Sequence, residues 1–308
     1  MFKLPNRPSA GAYIHELADF VELLSWLNGS TSTREIVALL GREGESEPNL
    51  GCDDTDDENS NTLDEVFVEI EFRQAACEGR YPFSLDATGN VLTFRDGADL
   101  PTWLYCYMLL STRLNMNSER IQAGIDGTQL LEEISAEGLR HYLGSNRAKS
   151  IVFGTACDNK NFPQRVTSLC KSLGEGQAFC NRYNQPMNAK DDKLDVVAWL
   201  PFADGKGSLV VLFGQCKTGT AWSEQLCKLQ PVSFIKKWMS HPFLYDPIRA
   251  YIVSEAADRR KWEGYAVEGG LFFDRCRILE CCDDIDPILF ERIKEWSTAA
   301  LRKVRQLI

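Results

Sequence analysis

The 308-residue chain is 44% hydrophobic and 25% charged, with a formal net charge of −10: ample for a sizeable core and too long for one minimal module. It holds no run of about 18 apolar residues, as a membrane-spanning helix would need, and it opens with no basic-then-apolar leader, so a cytoplasmic protein that does not enter membranes is expected. The 11 cysteines are scattered through apolar contexts instead of being packed into a short disulfide framework, and Cys276, Cys281 and Cys282 lack the paired spacing of a zinc site.

Residues 12–27 place apolar groups at helical spacing, and residues 33–40 begin a second helix after a Ser/Thr cap region. Residues 43–71 contain twelve acids and no Lys or Arg. Within them, residues 43–61 have almost nothing apolar to order them and are expected to be a solvated acidic loop. Helical spacing returns over residues 62–77, a short hairpin is expected around Thr88-Gly89-Asn90, and residues 101–114 form an apolar helix. Residues 1–120 are therefore read as a mainly helical domain without chemistry of its own.

Residues 121–308 are read as a second domain. Helices are expected over 129–143, 163–173, 223–239 and 287–307, and strands over 194–200, 208–217, 248–254 and 271–280. Strands flanked by helices imply a layered α/β fold with a mixed central sheet. Asp274-Arg275-Cys276-Arg277 alternates like an edge-strand row of ion pairs. The charge is uneven as well: residues 1–139 hold 25 acids and 9 bases, whereas bases outnumber acids over residues 140–260. A basic segment inside an acidic protein suits phosphate binding. Lys236, Lys237, Arg249, Arg259, Arg260 and Lys261 are the candidate nucleic-acid contacts.

The strands 194–200 and 208–217 are joined by a segment containing the turn formers Asp204-Gly205 and Gly207, which predicts a hairpin. Either plausible register puts Asp195, Gln215 and Lys217 on one face and turns Cys216 away. Strand periodicity alone would fill these positions with Val or Leu. The Asp195 carboxylate, the Gln215 amide oxygen and the main-chain carbonyl of Cys216 are hard oxygen ligands suited to Mg²⁺, with Mn²⁺ a possible substitute. Lys217 beside such an ion can orient water and offset phosphorane charge. Read without a metal, the same residues are a strand-end ion pair of Asp195 and Lys217 with Gln215 as a neutral neighbour. None of His15, His141 and His241 sits beside a nucleophile.

Asp195 followed by Gln215-Cys216-Lys217 resembles the Asp…(Glu/Gln)-x-Lys motif of the PD-(D/E)xK nuclease superfamily, in the Gln form of the Mrr-type restriction endonucleases. Lys193-Leu194 stands where the superfamily name places Pro. The resemblance covers residues 129–254 and implies a restriction-endonuclease-like domain that hydrolyses DNA phosphodiester bonds with Mg²⁺, in prokaryotic genome or anti-phage defence. It also implies that a Glu of the first core helix joins the site. Leu130-Leu131-Glu132 resembles that placement, and helical phase favours Glu132, which shares a face with Ala136, Leu139 and Leu143. Glu133 is expected to be solvated. By analogy with such enzymes, a homodimer or a multi-protein defence complex is expected. The alternative is a non-catalytic module that keeps the fold to bind nucleic acid or a partner protein.

Overall fold

The computed structural model describes residues 2–9, 11–41, 54–144, 146–154, 161–184 and 192–305. The N-terminal layer runs α1 (Ile14–Asn28), β1 (Ser30–Ser32), α2 (Thr33–Gly41), α3 (Asp54–Ala76), β2 (Phe83–Leu85), β3 (Val91–Phe94) and α4 (Leu100–Arg113). A short helix α5 (Met116–Glu119) and the paired strands β4 (Ile121–Gln122) and β5 (Ile125–Asp126) lead into α6 (Gly127–Tyr142). Then follow β6 (Lys149–Val152), α7 (Phe162–Leu173), β7 (Val196–Leu200), β8 (Val210–Lys217), α8 (Pro231–Trp238) and β9 (Ile248–Val253). The chain closes with α9 (Trp262–Gly269), β10 (Leu271–Phe273), α10 (Arg275–Cys281) and α11 (Pro287–Arg305). Among the described residues no helix is long and apolar enough to cross a membrane.

The fold is mixed α/β. Its five-stranded sheet has the order β10-β9-β8-β7-β6. β7 runs antiparallel to its neighbours β6 and β8, and β8, β9 and β10 run parallel. Alternation along the strands divides the core into two faces. Val197, Trp199, Val211 and Phe213 pack against Phe162 and Val166 of α7 and Phe234 of α8. Val196, Ala198, Leu212 and Cys216 join a larger cluster with Leu139 of α6, Trp296 of α11 and Leu109 of α4. The boundary expected at residue 120 thus falls within one continuous apolar cluster.

Several expectations are corrected. Of the acidic loop expected over 43–61, residues 54–61 belong to α3, and residues 42–53 lie outside the described residues. The strand expected over 271–280 stops at Phe273. There the Asp274 carboxylate accepts from the Arg277 N–H (3.1 Å) and caps α10, which is what a short polar side chain does at a helix start. The Asp274–Arg277 alternation is therefore a helix entry and not an edge row. The helix expected over 223–239 is a 3-10 turn at Ser223–Gln225 followed by α8, which starts at Pro231 where proline is preorganised. β6 and α9 were not anticipated.

Arg275 opens α10 fully buried and reaches Asp19 of α1 at 2.9 and 3.0 Å. Asp19 also receives Arg113 of α4 and Arg73 of α3, each at 2.7 Å. Glu22, one turn further along α1, accepts from Arg73 (2.9 Å), Tyr81 (2.7 Å) and Tyr105 (2.8 Å). Burial alone would raise the Asp19 carboxyl pKa; the guanidiniums of Arg275, Arg113 and Arg73 override it and hold the group well below the usual carboxylate range. Asp19 therefore stabilises the fold above the ordinary carboxylate pKa of about 3.9, and that contribution is lost as pH falls towards the lowered folded value. Removing one member of such a cluster strands its partners, so Asp19→Asn should cost about 3–5 kcal/mol at pH 7. Urea unfolding of both proteins from pH 7 to pH 3 checks this: the gap should hold down to about pH 5 and shrink below about pH 4. A gap unchanged at pH 3 would contradict an ionised Asp19.

Candidate active site

β7 and β8 form the predicted hairpin, with Val196 opposite Gly214 and Leu200 opposite Val210. Its connection turns at Gly205, which has a φ of +65°, and the Lys206 N–H bonds the Asp204 carboxylate at 3.0 Å. This register continued by one residue sets Asp195 opposite Gln215. Asp195 precedes β7, and its N–H donates to the Gly214 carbonyl (3.0 Å). Its carboxylate accepts the Cys216 N–H at 2.7 Å, tying the two strand ends together. The Asp195 carbonyl accepts the N–H groups of Phe153 (2.7 Å) and Gly154 (3.1 Å), which follow β6.

Gly214 explains how close the layers come here. A Cβ on it would lie 2.5 Å from Val196 Cγ2, 3.0 Å from Ile252 Cδ1 and 3.3 Å from Leu139 Cδ1 of α6, so the flanking strands and α6 close over this point of the sheet. Glu132 of α6 reaches the end of β6: its Oε2 lies against Gly154, where a Cβ would be 2.5 Å away. The Cys216 thiol feels both the Asp195 and the Glu132 carboxylates, and burial, the larger effect, pushes it well above the ordinary thiol range. Cys216 packs into the α6-side cluster, turned away from Gln215 and Lys217 as the strand alternation predicts.

Gln215 is fully buried, paired in register with Tyr251 of β9, and neither its amide nitrogen nor its amide oxygen has a hydrogen-bond partner. The Tyr251 hydroxyl is already committed to the Trp222 carbonyl (3.0 Å). Lys217 ends β8 half-buried, and its carbonyl accepts the Ser254 N–H (3.2 Å). By strand alternation Asp195, Gln215 and Lys217 share one end and one face of the hairpin, whereas Glu132 comes from α6 on the other face and lies against Gly154. Among the described residues no group of three or more His, Cys, Asp or Glu side chains is placed to hold a metal.

Other expectations differ from the structure. Glu133 is not solvated: it is half-buried and grips Arg292 of α11 through two bonds of 2.6 and 2.8 Å. The candidate phosphate contacts do not form one surface. Lys236 is exposed on α8, while Lys237 pairs with Asp192 (3.3 Å). Arg249 is half-buried, with Nη1 at 3.5 Å from the Leu229 carbonyl. Arg259 and Arg260 are bound by Glu69 and Glu65 of α3, each at 2.7 Å, and Lys261 lies 3.9 Å from Asp258 and over the Tyr13 ring. The acidic helix takes this basic run because its two glutamates, four residues apart, share a face. Sequence reasoning also missed Arg165 of α7, which is buried, donates to the Phe153 carbonyl (2.9 Å) and stacks over the Phe153 ring. One charge in an amphipathic helix carries no signal of such a position.

An amide buried without partners destabilises the fold by about 1–3 kcal/mol. Gln215→Leu should therefore raise stability by about 1 kcal/mol in urea unfolding. A loss of that size would mean that the amide is satisfied by the protein. In comparisons with known proteins, no family model, no curated protein and no solved structure matches the chain.

Proposed function

We propose that the chain is a Mg²⁺-dependent nuclease of the PD-(D/E)xK type that hydrolyses DNA phosphodiester bonds. The observation that carries this reading is the Gln215 amide, fully buried and unpartnered beside the Asp195 carboxylate at the hairpin end. A polar group kept there at a cost in stability fits a ligand position better than a packing position. The chain order also supports it: α6, the β7–β8 hairpin, α8 and then β9 parallel to β8 follow the helix, hairpin, helix and strand that the sequence resemblance implies, with β6 and α7 inserted after α6.

The residues fit a hard divalent cation: the Asp195 carboxylate, the Gln215 amide oxygen and the Cys216 carbonyl would hold it, with Glu132 assisting. When bound, Mg²⁺ supplies a positive charge beside the scissile phosphate and acidifies a coordinated water. The Lys217 ammonium would orient the attacking water and offset charge on the phosphoryl oxygens as the new P–O bond forms and the ester P–O bond breaks. Asp195 and Gln215, on adjacent strands bonded to one another, would keep these groups in fixed relation. Genome defence and a homodimeric or multi-protein assembly are the context this reading suggests.

A second reading rests on burial. Asp195 is 7% exposed and Gln215 0%, as in a module that keeps the hairpin for its fold and binds nucleic acid or a partner without cutting it. Plasmid digestion with and without Mg²⁺ separates the two. The nuclease reading expects Mg²⁺-dependent nicking that falls at least 100-fold in Asp195→Ala and in Lys217→Ala, while Glu133→Ala keeps it once folding is verified. Cleavage that persists in both site variants, or no cleavage by the intact chain, would overturn it.

A further inference from the structure

The Gln215 side chain carries two kinds of hydrogen-bonding atom, and a cation engages only one of them. Its amide oxygen offers lone pairs, whereas its amide nitrogen holds N–H donors and accepts nothing. Both atoms are enclosed and neither has a partner, so the point holds whichever way the amide is turned. Of the neighbours in register, the Tyr251 hydroxyl donates to the Trp222 carbonyl (3.0 Å) and Asp195 Oδ2 accepts the Cys216 N–H (2.7 Å), and neither meets the amide. A divalent cation on the oxygen would leave the nitrogen as it is. Water on that cation turns its hydrogens outward and is itself a donor, so it does not satisfy the nitrogen. An anionic oxygen within reach of the cation does.

We infer, on the nuclease reading of this site, that the Gln215 amide nitrogen donates to a non-bridging oxygen of the phosphodiester, so that one side chain holds metal through its oxygen and substrate through its nitrogen. Asp195 and Lys217 share the face of Gln215 and keep some exposure, whereas Gln215 keeps none. The amide is thus the innermost group of the three, and a phosphoryl oxygen would reach it from the side of the other two. A hydrogen bond to such a charged acceptor is shorter and stronger than one to a neutral group. A glutamate at this position would offer acceptors only. Its added negative charge would hold a cation more tightly and repel the diester. Opposite effects on the two ligands are therefore the signature of a donating glutamine.

The test uses the intact isotope-labelled chain, Mg²⁺ and dimethyl phosphate, a minimal phosphodiester, followed by NMR. Mg²⁺ alone should shift the backbone amides of Asp195 and Cys216. Dimethyl phosphate added with Mg²⁺ should then move the side-chain amide protons of Gln215 downfield and saturably, a readout that needs neither a variant nor turnover. In Gln215→Glu, Mg²⁺ should bind at least about threefold more tightly and dimethyl phosphate at least about tenfold more weakly, the effect of losing one hydrogen bond to a charged group. Gln215 side-chain protons that stay still while the backbone amides answer the diester would overturn the inference and leave the nuclease reading standing. So would a Gln215→Glu variant that holds the diester as tightly as the wild-type chain, or side-chain protons that move with Mg²⁺ alone and no further with the diester, because their acceptor would then be an oxygen of solvent. No response of any of these amides to Mg²⁺ would remove the nuclease reading and the inference with it.

Discussion

Asp19 sits where four helices meet the sheet, and the arginines that converge on it hold the N-terminal layer against the ends of β9 and β10. Arg73, Arg113 and Arg275 are all fully buried, a state tolerable only while every charge faces an opposite one. Arg113 also binds Glu255 just after β9 (2.9 Å), and Thr112 beside it shares a hydrogen bond with Ser254 (3.0 Å). The Ser254 N–H in turn holds the Lys217 carbonyl, and the Gly219 N–H bonds the Ser111 carbonyl (3.1 Å). The strand end that carries Lys217 is thereby attached to α4. A helical layer without candidate chemistry of its own thus sets the position of the group proposed to act on water.

The same layer engages part of the basic segment that the sequence offered as a phosphate-binding surface. α3 engages Arg259 and Arg260 through Glu69 and Glu65, so both arginines already have carboxylate partners within the chain. Glu69 is also bonded to Arg73 (3.1 Å), which places one end of this surface pairing inside the buried cluster. Lys236 and Lys237 remain on α8, on the face of the sheet that Phe234 covers.

The hairpin was legible because strict alternation and an Asp-Gly turn fix register, and register fixes which side chains share a face. Helical phase set Glu132 apart from Glu133 in the same way, and its carboxylate lies against Gly154 after β6. Glu133 was not: its partner Arg292 lies 159 residues away, and no local period encodes a distant ion pair. Arg275 was misread because a charge alternating with Cys276 after two phenylalanines looks like a strand edge, whereas the cap at Asp274 turns the chain into a helix and the buried acids of α1 receive the guanidinium. β6 escaped notice because a four-residue edge strand beginning Lys-Ser offers too little apolar pattern. The unpartnered state of Gln215 could be learned only from three-dimensional neighbours.

The central claim is that the hairpin end binds a divalent cation, and paramagnetic broadening of amide resonances by Mn²⁺ tests it most directly. On titration of the intact chain, the amides of Gly154, Asp195, Gln215 and Cys216 should broaden first and together, and Asp195→Ala should remove the effect. Broadening that begins instead at the acid-rich start of α3, or that survives unchanged in Asp195→Ala, would contradict the account.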